Sequence, residues 1–191
     1  MPLLKPGDAF PTLAVARVGG GSFTIPSVFD GGYGVVLFYR GSWCPYCNAQ
    51  LRAFQRATDS LREVRTKVVA LSVDDEATSA DVVAKHGLSF PIGHSADAMA
   101  VSALTGAFVD PGRGFLQSTG FVLDPAGRVV VSVYSSGAIG RLVPETSSGS
   151  SVTCASTAPW IEPGKGAPSP VLVHPDDDEC PCHDAVPYYF E

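Results

Sequence analysis

The 191-residue chain has no apolar run near the about 20 residues that cross a bilayer. Its opening, MPLLKPGDAF, also lacks the charged end and the apolar stretch of about 7 to 15 residues of a secretory signal. No membrane partner is expected, and a cytoplasmic location is. A basic surface is missing as well. Residues 1–143 hold 12 Lys and Arg against 11 Asp and Glu, a balance of +1, while residues 144–191 set Lys165 alone against eight acids, a balance of −7. A near-neutral body offers phosphates no cationic face, so nucleic acid is not an expected partner. Cysteine is scarce and odd in number, at five, which argues against a secreted disulfide framework and for a reactive or metal-binding pair. The glycine triplet Gly19–Gly21 lacks the strand, helix and spacing of a phosphate cradle and reads as a loop.

The chain does have apolar material in quantity, 45% of its residues, enough for one core. Val35 to Tyr39 is a continuous β-branched and aromatic run, as in a strand covered on both faces. From Cys47 onward, Leu51, Phe54, Leu61 and Val64 recur at helical spacing, with arginines and glutamine between them, and predict one amphipathic helix. Val68 to Val73 reads as a second buried strand. Ala80 to His86 reads as a helix stopped by Gly87, with Lys85 and His86 at its negative end. Asp97 is placed to cap a helix through Leu104, and GFVLDPAGRVVVSVY predicts two strands joined by a turn at Asp124 to Gly127. This βαβα run with a closing hairpin is compatible with a thioredoxin-like α/β fold, a central mixed sheet with helices on both faces.

The sharpest feature is FYRGSWCPYC at residues 38–47, where two cysteines three apart follow a strand and begin a helix. Unpaired N–H groups and the helix dipole at such an entrance favour a thiolate, and Cys44 is expected there, exposed. Pro45 suits a helix start because no donor is needed there, and Trp43 is expected as an apolar wall beside the pair. Arg40 is the candidate cation supporting either thiolate. His86 and His94 read as a helix-end and a loop residue, and Asp74, Asp75 and Glu76 as a solvated, helix-capping run rather than a metal cluster.

LKPGDAFPTLAV, FYRGSWCPYC, VVALSVDD, AKHGLSFP and GFVLDPAGRV occur in this order over roughly residues 3 to 143. Together they resemble the redoxin group, the alkyl hydroperoxide reductase and thiol-specific antioxidant family of peroxiredoxin-like proteins. The resemblance implies a thiol-based antioxidant oxidoreductase with Cys44 and Cys47 as catalytic residues. It also implies a hydroperoxide substrate and an external thiol reductant such as a thioredoxin-like protein, with no cofactor and no metal. The family pattern Pro-x-x-x-Thr-x-x-Cys falls on Arg40, Cys44 and Cys47, which makes Cys47 resemble the peroxide-attacking residue and Cys44 its resolving partner. The strand position at which the family carries an arginine reads Gln117 or Ser118. The Trp-Cys-x-x-Cys pattern of thioredoxins and glutaredoxins instead makes Cys44 the nucleophile toward disulfides. Thiol/disulfide oxidoreduction is therefore the alternative enzyme, and a redox sensor without turnover is the third reading.

Residues 144–191 form a distinct segment, with eight of the sixteen prolines and three of the five cysteines. A thioredoxin-like domain should close with a helix on its sheet, yet PETSSGSSVTCAST has no apolar stripe, so a normal C-terminal helix is expected to be missing. Back-translation of Thr146 to Ser156, read one base earlier, can yield an apolar helix, which motivates a shifted reading frame near Glu145. On that reading the cluster of Cys180, Cys182 and His183 is accidental rather than a zinc site.

Overall fold

The computed structural model describes residues 3–144. Residues 145–191 lie outside them, and so do the expected tail, its C-P-C-H cluster and the shifted reading frame.

Two strands that the pattern analysis did not name open the fold, β1 (Leu13–Arg17) and β2 (Ser22–Ile25). They pair antiparallel, and Gly19 to Gly21 turn between them at φ values of 84°, 97° and 77°, which only glycine adopts without strain. Then follow β3 (Tyr33–Phe38), α1 (Pro45–Arg56), α2 (Thr58–Glu63), β4 (Thr66–Leu71), α3 (Glu76–His86), β5 (Ile92–His94), α4 (Ala98–Thr105), β6 (Thr119–Leu123) and β7 (Val129–Tyr134). The seven strands form one sheet in the order β2-β1-β5-β4-β3-β6-β7. β3 is parallel to β4 and β4 to β5, while β3 with β6 and β6 with β7 are antiparallel. The sheet is therefore mixed, with helices on both faces.

The alternation of side chains along β3 explains its apolar run. Val36 and Phe38 point into one cluster with Val69, Leu71, Phe121 and the α4 residues Ala98 and Val101. Val35 and Leu37 point into the other, with Leu51 and Phe54 of α1, Leu61 of α2 and Val82 of α3. A strand buried on both faces cannot alternate apolar with polar residues, and this one does not.

Three expectations are corrected. The helix from Cys47 is two helices, because the Ala57 N–H closes α1 on Ala53 and Gln55 and the Thr58 hydroxyl bonds Phe54 O, so the chain turns before α2. Val64 accordingly leaves the apolar stripe and is exposed. His94 ends a strand rather than lying in a loop. The run at 74–76 is only partly a cap: Asp75 accepts from Thr78 N at 2.8 Å, but Asp74 reaches across to accept from Ser42 N at 2.7 Å. His86 does end α3, where burial, Arg52 and Lys85 hold its imidazole below the usual histidine range. No helix among the described residues is long and apolar enough to cross a membrane.

Candidate active site at the start of helix α1

Phe38 ends β3 at the carboxyl side of the sheet, and residues 39–44 carry the chain from it to α1. Gly41 adopts φ 147°, and a Cβ there would stand 2.5 Å from Trp43 Nε1, so this turn needs glycine. Three contacts hold the loop: Ser42 N on Asp74, Asn48 Nδ2 on Ser42 O at 2.8 Å, and Cys44 N on Gly41 O at 3.1 Å. Cys44 is the N-cap residue, with extended backbone, and its sulfur accepts from Cys47 N at 3.4 Å. Pro45 follows as the first helical residue, where its missing N–H costs nothing.

Both sulfurs lie within reach of one guanidinium that does not come from this loop. Arg141 Nη2 stands 3.5 Å from Cys44 Sγ and 3.4 Å from Cys47 Sγ. The same nitrogen donates to Ala138 O at 2.8 Å, and Nη1 donates to Gln50 Oε1 and Ser118 Oγ, each at 3.0 Å. The chain after β7 thus folds back over the cysteines. Leu142 is buried beside them, against Gly120, where any Cβ would meet it at 2.7 Å. This covering corrects the expected exposed entrance, because both cysteines have 0% exposure.

Burial alone would raise both thiols, so the difference between them comes from their partners. At Cys44 burial pushes upward, but the Cys47 thiol and N–H hydrogen-bond its sulfur and the guanidiniums of Arg141 and Arg40 attract its charge, so its pKa falls below the ordinary value. At Cys47 burial is again largest, the bond given to Cys44 adds to it, and the pKa is pushed up to about 11 despite Arg141 and the Arg40 N–H. Of the two thiols, Cys44 is thus the more acidic and Cys47 the less acidic.

The other two predicted residues lie on the same loop. Arg40 gives its backbone N–H to Cys47 Sγ at 3.3 Å, but its guanidinium lies 4.9 Å from the ring centroids of both Trp43 and Phe115. Trp43 is half-exposed, at 49%, and edge-on to Phe115 at 5.1 Å. Among the described residues, the guanidinium in contact with both sulfurs is that of Arg141, which sequence reasoning missed. Ser118, one of the two residues at the strand position where the family carries an arginine, instead accepts from one delivered by a later segment.

Residues 6–132 match the model of the AhpC/TSA family. The chain belongs to the AhpC/TSA family. It is 28% identical over 152 residues to a peroxiredoxin of Treponema denticola, covering 76% of this chain and 70% of that protein. A peroxiredoxin of Methanothermobacter thermautotrophicus is 29% identical over 153 residues, with coverage of 76% and 70%. Among solved structures, Mycobacterium tuberculosis AhpC superposes with a TM-score of 0.69 at 19% identity, over 84% of this chain and 98% of that one. Peroxidoxin BcpB from Mycobacterium tuberculosis gives 0.64 at 21% identity, over 71% and 88%. These structures share the thioredoxin-like fold, and membership of the AhpC/TSA family makes the chain a thiol-based peroxidase. Arg141 lies beyond residue 132, outside the matched part.

Proposed function

We propose that Cys44 and Cys47 are the redox centre of a hydroperoxide reductase in which Cys44 attacks and Cys47 resolves. The observation that carries this is Arg141 Nη2 at 3.5 and 3.4 Å from the two sulfurs, beside a Cys44 whose pKa is lowered and a Cys47 whose pKa is raised. The Cys44 thiolate forms an S–O bond to one peroxide oxygen while the O–O bond breaks, and the alkoxide leaves and takes up a proton. Cys44 becomes a sulfenic acid. Cys47 then attacks that sulfur, its proton leaving with the hydroxyl as water, and the product is a Cys44–Cys47 disulfide. A dithiol reductant of thioredoxin-like class would supply the two electrons and two protons that restore the pair. The family pattern favours the reverse order through Cys47, but the lowered pKa of Cys44 against the raised pKa of Cys47 supports Cys44.

Peptide mapping after one equivalent of hydrogen peroxide is expected to find Cys44 linked to Cys47. Links running mainly to Cys154, Cys180 or Cys182 would overturn the two-cysteine centre.

Arg141→Met removes the only guanidinium that touches both sulfurs among the described residues. A charge at this range is worth roughly one to three pKa units, so the rise of peroxide consumption with pH should move to higher pH and the rate at pH 7 should drop by about tenfold or more. The sign follows from the thiolate: a folded-state pKa below the ordinary thiol value leaves more anion at neutral pH, and losing the cation returns it toward the thiol. Stopped-flow rates from pH 5 to 9 would check it, and an unshifted profile would reject the role of Arg141.

A further inference from the structure

Arg40 stands where the family pattern has proline, so the redox centre is flanked by a cation that the pattern does not supply. Its backbone N–H holds Cys47 Sγ, while its guanidinium lies 4.9 Å from the ring centroids of both Trp43 and Phe115. A second guanidinium, that of Arg113, stands 5.9 Å from the same Trp43 ring. Two like charges gathered on one indole repel each other unless an anion joins them. The fold supplies none: among the described residues the only ion pairs are Arg62 with Asp59 and Lys67 with Asp30. The acids of the adjoining loops are engaged elsewhere, Asp110 accepting from the backbone N–H groups of Gly112 and Arg113 and Asp74 from Ser42 N. Arg40 Nε is buried and has no hydrogen-bond partner among the described residues. Trp43 and Tyr46, on either side of Cys44 in the sequence, are both half-exposed, so the cations adjoin open apolar surface.

We propose that Arg40 and Arg113 form a carboxylate-recognition site beside the redox pair, which selects organic hydroperoxides with an apolar body and an anionic end. The inference rests on the hydroperoxide reductase reading and names the substrate class of that same centre. A guanidinium presents a planar fork matched to a carboxylate, and rings that already hold the fork reduce the freedom it loses on pairing. The exposed part of Trp43 takes up the apolar body. A neutral organic hydroperoxide gains only the second contact, and hydrogen peroxide gains neither.

Two measurements on the full chain test it, one of them independent of turnover. Trp43 and Trp160 are the two tryptophans, so in a Trp160→Phe background the fluorescence of Trp43 alone follows the binding of octanoate, octanol and octylamine. Octanoate should bind about tenfold more tightly than octanol, and octylamine most weakly. Arg40→Met and Arg113→Met should each remove most of that margin, as should an ionic strength of about 1 M, at which charges are screened within about 3 Å. The second measurement compares kcat/KM for linoleic acid hydroperoxide and its methyl ester, each divided by the value for hydrogen peroxide in the same variant, so that an effect of Arg40 on the Cys44 thiol cancels. The acid should lead the ester by about tenfold, and Arg113→Met should lower that lead about three- to tenfold while leaving hydrogen peroxide consumption unchanged. Octanoate bound no more tightly than octanol, or a margin that survives both substitutions, would overturn the site even in a chain that consumes peroxide. Tight octanoate binding with equal turnover of acid and ester would assign the cations to an acidic reductant and overturn the substrate class. Tight octanoate binding with no hydroperoxide consumed would uphold the carboxylate site and overturn the reductase reading instead.

Discussion

Cys44→Ser is expected to abolish hydroperoxide consumption, lowering the rate by more than roughly 10³-fold, the scale on which loss of a nucleophile acts. A serine hydroxyl stays protonated at neutral pH even beside Arg141, and at Cys47 burial, the largest cause raising its thiol, persists in this variant. Cys47→Ser should behave differently. Its Cys44 keeps the N–H of residue 47, Arg141 and Arg40 contributions and loses the hydrogen bond from the Cys47 thiol, the largest of those that lower it. The first oxidation should therefore proceed, leaving a sulfenic acid on Cys44 that a dimedone-type probe labels, while recycling by a dithiol reductant slows. The decisive measurement is mass spectrometry of probe-labelled peptides from both variants after one equivalent of peroxide. A sulfenic acid on Cys47 in the Cys44→Ser chain, with peroxide still consumed, would reverse the assignment of roles.

The largest stability effect is expected at Phe121. Its ring is fully buried on β6 and meets Phe10, Phe38 and Tyr134 edge-on, with centroids at 5.2, 5.7 and 5.5 Å. These partners come from the N-terminal segment, β3 and β7, so one side chain joins the sheet centre to the segment that precedes β1. Phe121→Ala should cost about 3–5 kcal/mol through lost transfer energy and the cavity left behind. For a chain of this size that corresponds to a fall in melting temperature of about 6–20 °C. The cavity lies on the opposite face from Cys44 and Cys47, whose cluster contains Val122 rather than Phe121. The chain that remains folded should therefore keep its Cys44 titration midpoint. Urea unfolding with a loss below about 1.5 kcal/mol would show that the ring is less central than its contacts imply.

Much of the fold was legible because burial on both faces writes itself into composition. Val35 to Phe38 and Val68 to Leu71 are continuous apolar runs, and the turn at Asp124 to Gly127 has the residues such a turn requires: the Asp124 carboxylate accepts from Ala126 N and Arg128 N. The short strands were less legible. β5 has three residues, too few for any period, and β1 and β2 show only Leu13, Val15, Phe23 and Ile25 as inward positions. The break between α1 and α2 was invisible as well, since Phe54 and Leu61 are seven residues apart and stay on one stripe whether or not the helix is continuous.

At the site, local sequence determined what neighbours in the chain can determine. Cys44 and Cys47 stand three apart, Pro45 starts the helix and Gly41 makes the turn, so the N-cap position of Cys44 and its bond from Cys47 N follow from residues 41–47 alone. Only the tertiary structure decided that both sulfurs are buried against a cation. Burial, which a helix entrance does not reveal, raises both thiols; at Cys44 the hydrogen bonds from Cys47 offset it first, and a cation from 97 residues away adds to them. No spacing encodes that pairing. It arises because β6 and β7 run antiparallel beside β3, the chain after β7 returns over α1, and Gln50 and Ser118 accept Arg141 where it arrives. A charge acts through distance in space, and distance in space between residues 44 and 141 is a property of the folded sheet, not of the order of residues along the chain.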